Sequence, residues 1–91
     1  MCTSIVEIAP VEGAGKGERG WFPLTTSVVS YDHPHHADYE EAISIDFMNA
    51  DLDPGARVAV EISLKSAKAF AVALCKAIDA AEALNRAAEG H

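Results

Sequence analysis

"AISIDFMNADLDPGARVAVEISL", residues 42–64, decides the fold. Over 42–47, Ile43, Ile45 and Phe47 alternate with Ser44 and Asp46; over 56–64, Val58, Val60, Ile62 and Leu64 alternate with Arg57, Ala59 and Glu61. A period of two marks strands with one apolar and one polar face. "MNADLDPG" between them supplies a turn. Two successive one-sided strands predict an antiparallel sheet whose apolar face needs a cover.

Residues 64–88 are the predicted cover. Ala67, Phe70, Ala71, Leu74, Ile78, Ala81 and Leu84 recur at steps of three and four, the period of a helix. The stretch holds neither Pro nor Gly and is rich in alanine, the strongest helix former. Ser63 and Ser66 are the two candidate N-caps.

Upstream, "CTSIVEI" (2–8) reads as a first strand ended by Pro10, and "WFPLTTSVVSY" (21–31) as a second, with β-branched Val28 and Val29. "VEGAGKGERG" (11–20), with glycines at 13, 15, 17 and 20, is expected to be a mobile loop. The fold class is therefore α+β: one domain over 1–91, a four-stranded antiparallel β-meander with one long C-terminal α-helix packed on one face (ββββα). One helix covers four strands incompletely, and Ala69, Ala73, Ala77 and Ala80 let a second helix come close. A homodimer through helix or sheet edge is expected.

Ninety-one residues bury roughly two-thirds or less of their unfolded surface, so a monomeric core is thin. The net charge of −7 disfavours nucleic acid and anionic membranes as partners. No apolar run reaches the roughly 20 residues of a membrane span, and no signal-peptide pattern opens the chain. The expected location is the cytoplasm. There Cys2 and Cys75 are thiols, Cys75 a buried, inert one beside the helix stripe.

No strong catalytic motif stands in the sequence, and the chemistry concentrates in "SYDHPHHADYEE" (30–41). No Lys or Arg lies between Arg19 and Arg57, where Asp32, Asp38, Glu40, Glu41, Asp46, Asp51 and Asp53 fall together with three histidines. Such a surface attracts a divalent cation and raises imidazole pKa values. Cys2, His33 and His36 are the candidate metal ligands, suited to zinc, iron or copper. Against that stands a plain polar connection between strands. His33, His35 and Glu40 fit half of a cupin motif, but four strands cannot build that barrel. "GAGKG" (13–17) fails the Walker spacing and precedes a strand, yet Lys16, Trp21 and Asp32 are retained as candidate ligand-binding residues.

"MCT", "VEGAGKG" followed by "GWF", "YDHPHHA", "IDF" and "PGARVAVEIS" together resemble a family of small, uncharacterised bacterial proteins, chiefly actinobacterial, over nearly the whole chain. The family's central D-H-P-F-H-A pattern falls on Asp32, His33, Pro34, His36 and Ala37, with His35 replacing the usual aromatic residue. The resemblance implies that His33 and His36, with Cys2, form the working set, and that the glycine-rich segment belongs to the same surface. The expected function is a binding or accessory protein holding a metal ion or small metabolite. A small enzyme using His33 or His36 as general acid or base is the alternative, and a dimerisation or interaction module without a small-molecule site is the third reading.

Overall fold

A computed structural model describes residues 5–32 and 41–89, with Asp32 described by its backbone alone. Among these residues the chain forms β1 (Ile5–Gly17), β2 (Gly20–Asp32), β3 (Ala42–Met48), β4 (Arg57–Ile62) and α1 (Leu64–Glu89). The strands form one antiparallel sheet in the order β1-β2-β3-β4, the meander read from the alternation.

The register sorts side chains onto two faces. Tyr31, Ile43 and Ile62 stand in one row, Val29, Ile45 and Val60 in the next, and Ser27, Phe47 and Val58 in a third. The opposite face of β3 and β4 carries Ser44 beside Glu61, Asp46 beside Ala59 and Met48 beside Arg57. Arg57 closes onto Asp46 there, its Nη2 2.7 Å and its Nε 2.8 Å from Asp46 Oδ1.

The segment 11–20 departs from the expected loop. β1 continues through it to Gly17 and pairs with β2 up to Gly17–Gly20, after an irregularity between Pro10 and Gly13. Glycine composition suggested mobility, but the glycines alternate and so share a face, opposite Leu24, Phe22 and Gly20. A Cβ at Gly15 would stand 3.1 Å from Leu24 Cδ2 and 3.3 Å from Val58 Cγ2; one at Gly17 would stand 3.0 Å from Phe22 Cε1. The missing side chains are what let Leu24, Phe22 and β4 close on this strand. Gly20 takes the left-handed step of the hairpin end, at φ 104°.

Ser63 is the N-cap of α1: its Oγ accepts from Ser66 N at 3.1 Å and its carbonyl accepts from Ala67 N at 2.8 Å. The helix exists as expected, but it does not cover the sheet. None of its residues is buried, Ala67 is the one that is half-buried, and α1 touches the sheet at β3. Cys75, expected inside, is exposed. The reason is direction: α1 leaves the end of β4 and extends for about 39 Å at 1.5 Å per residue, carrying most of its stripe beyond the sheet.

Candidate functional site

Two surfaces are candidates, one at each end of the molecule. The first is a cleft between the β1–β2 hairpin tip and the β3–β4 loop, about 430 Å³, walled by Trp21, Phe22, Leu52 and Pro54 with Arg19 and Asp53 on its rim. Its walls are held by side-chain bonds. Asn49, 7% exposed, donates from Nδ2 to Pro23 O at 3.0 Å and accepts Asp51 N on Oδ1 at 3.0 Å, tying the loop to β2. Asp53 accepts Gly55 N on one oxygen at 2.8 Å and Arg19 Nη1 on the other at 3.0 Å, tying the loop to the hairpin tip. Both partners of that last pair are well exposed, so it orients more than it stabilises.

Trp21 lies in this cleft and is 72% exposed. Lys16 is its cross-strand partner and does not line the cleft. Asp32 is at the other end of β2, roughly 35 Å away along a strand that rises about 3.3 Å per residue. The described chain next to the histidine segment therefore ends far from Trp21 and Lys16, and the structure does not gather Lys16, Trp21 and Asp32 into one site. Cys2, His33, His35 and His36 lie outside the described residues. Among the described residues no group of three or more His, Cys, Asp and Glu is placed to hold a metal. At that end Tyr31 donates to the Glu41 carboxylate, which raises the phenol pKa above its usual 10.0.

The second surface is apolar. On α1, Phe70 (50%), Leu74 (49%), Ile78 (46%) and Leu84 (73%) are all open. On the sheet, Val60 and Ile5 are about half exposed on the face where Ile43, Ile45 and Ile62 lie. No large side chain is fully buried among the described residues. The accessible surface is 7179 Å² for 9.6 kDa, where a compact monomer of that mass exposes about 5,100 Å², an excess of about 2,000 Å². The radius of gyration, 15.9 Å, exceeds the roughly 12 Å of a compact chain of this length.

This surface consists of a helical stripe and an apolar sheet face. The chain matches the description "Family of unknown function (DUF6295)" over residues 1–87. It belongs to that family. No curated protein and no solved structure matches it. No helix among the described residues is long and apolar enough to cross a membrane.

Trp21, a candidate ligand-binding residue in the sequence, lines the cleft, whereas the part of Asn49 and Asp53 in holding its walls was missed. Their signal was present: Asn and Asp two residues before the amides they cap, within "NADLDPG", is the pattern by which such side chains fix turns.

Proposed function

We propose that this protein is an assembly module, a small domain that completes its core by pairing with another copy of itself. The observation that carries this is the 26-residue helix with no buried residue and four large apolar side chains open along one stripe. A soluble helix owes most of its stability to packing of such a face. Thermal unfolding of the untagged chain at several concentrations tests the reading. A dimer raises the midpoint with concentration, whereas a midpoint that stays fixed over a hundredfold range contradicts it.

The cleft supports a second reading, a small-metabolite site against Trp21. Walls of Trp21, Phe22, Leu52 and Pro54 with a charged rim are the composition of a modest ligand site. Trp21 reports occupancy directly through its fluorescence, because it is the chain's one tryptophan. Saturable change on adding a ligand, abolished in Leu52→Asp, supports it; a library that leaves the emission unmoved counts against it. A metal at Cys2, His33 and His36 belongs to the same class of reading and is tested by elemental analysis of untagged protein and of a His33→Ala, His36→Ala variant.

A further inference from the structure

We infer that the second copy seats its α1 antiparallel against this one, with the two-fold axis passing beside Cys75. The inference rests on the assembly reading and specifies its geometry. Charge along the helix is segregated. Lys65, Lys68 and Lys76 occupy its first half without an acid, whereas Asp79, Glu82 and Glu89 with Arg86 occupy its second.

That order opposes the helix's own field. The N-terminal end of a helix carries partial positive charge and favours acids, and the first turn here holds none. The same order becomes complementary when a copy runs the other way. The basic half of each helix then lies along the acidic half of its partner.

Spacing fixes the register. Lys68, Cys75, Glu82 and Glu89 recur every seven residues, so they share one flank of the stripe formed by Phe70, Leu74 and Ile78. In an antiparallel pair a flanking position meets its own kind across the two-fold axis. Centred at Cys75, Lys68 of each copy faces Glu82 of the other, and the apolar stripes meet between them. Within one helix these two residues are 14 positions apart, about 21 Å, and do not touch.

The arrangement also accounts for the open sheet. α1 begins where β4 ends, beside Ile62 and Ile43. An antiparallel partner brings its own C-terminal half, with Leu84, to that place. Each helix thereby extends the other chain's apolar face, and the helix stripe and the sheet face are covered by one contact.

The test is a charge-exchange cycle on the full-length protein, reading the dimer dissociation constant by sedimentation for wild type, Lys68→Glu, Glu82→Lys and the double variant, with helicity checked by circular dichroism. Each single variant sets like charges opposite one another at two symmetry-related places and should weaken the dimer about tenfold. The double variant should return to within about twofold of wild type. Unchanged helicity in the single variants separates loss of the contact from loss of the helix. A dimer whose constant is unmoved by the single variants, or not restored in the double, overturns the antiparallel register while leaving assembly standing. A wild-type monomer at every concentration overturns both, as does a monomer that instead binds anionic phosphatidylserine vesicles through α1.

Discussion

The two ends of this molecule solve the same problem differently. At the hairpin tip, Asn49 and Asp53 bond the β3–β4 loop to β2 and to the β1–β2 turn, and glycines admit Leu24 and Phe22 against their neighbours. At the helix, a stripe of larger side chains stands open, and among the described residues none of it is buried. The tip is held by polar bonds and close backbone approach, and on the proposed assembly the helix is completed by a second copy. That proposal divides the stability of the chain between a part independent of concentration and a part that depends on it.

Substitution in the helix should break that contrast most strongly. Ile78→Ala removes methyl groups that are about half exposed in one chain and that the proposed pair buries. We expect a loss of about 2–5 kcal/mol per buried site in denaturant unfolding at high protein concentration. A change within about 0.5 kcal/mol, the usual result at an exposed position, would show that no copy covers the stripe.

The tip should respond next, and independently of concentration. Gly15→Val drives a side chain into Leu24 and Val58 and should cost about 1–3 kcal/mol. Gly13→Ala meets nothing within 4 Å and should instead stabilise by about 0.4–1 kcal/mol through the unfolded chain. Equal effects at 13 and 15 in denaturant titrations would mean that the strand reading of this segment is wrong.

Asn49→Ala should cost about 1–3 kcal/mol, because Pro23 O and Asp51 N lose their buried partner together. Comparison with Arg19→Ala, which breaks an exposed pair and should cost less than about 1 kcal/mol, separates the buried pin from the surface one.

The smallest effect lies at the sheet's far end. Tyr31 titrates above 10.0 because it donates to Glu41, so the stability from that bond is fully present below about pH 10 and fades as pH rises through the raised folded value. Ultraviolet titration of the phenol should show its midpoint falling in Glu41→Gln. An unchanged midpoint would mean that the hydrogen bond does not form in solution.

Much of this was legible in the sequence for a definable reason. β3, β4 and α1 follow from periodicity, and of the two candidate caps, Ser63 and Ser66, it is Ser63 that caps the helix. The distal half of β1 was not legible from composition, because four glycines in ten residues signal a loop; only their alternation, set opposite Leu24 and Phe22, shows a strand built for close approach. The helix stripe announced that a face would be buried. It could not say against which chain, since periodicity records the need for a cover and not its source. Trp21 was legible as a candidate, but its cleft depends on Asn49 and Asp53 folding a distant loop against it.

Sedimentation equilibrium of untagged protein at micromolar concentration, beside a Leu74→Asp, Ile78→Asp variant, tests the central claim most directly. The account predicts twice the 9.6 kDa chain mass for the wild type and the single-chain mass for the variant. A wild type that sediments at 9.6 kDa with its helix intact would contradict it.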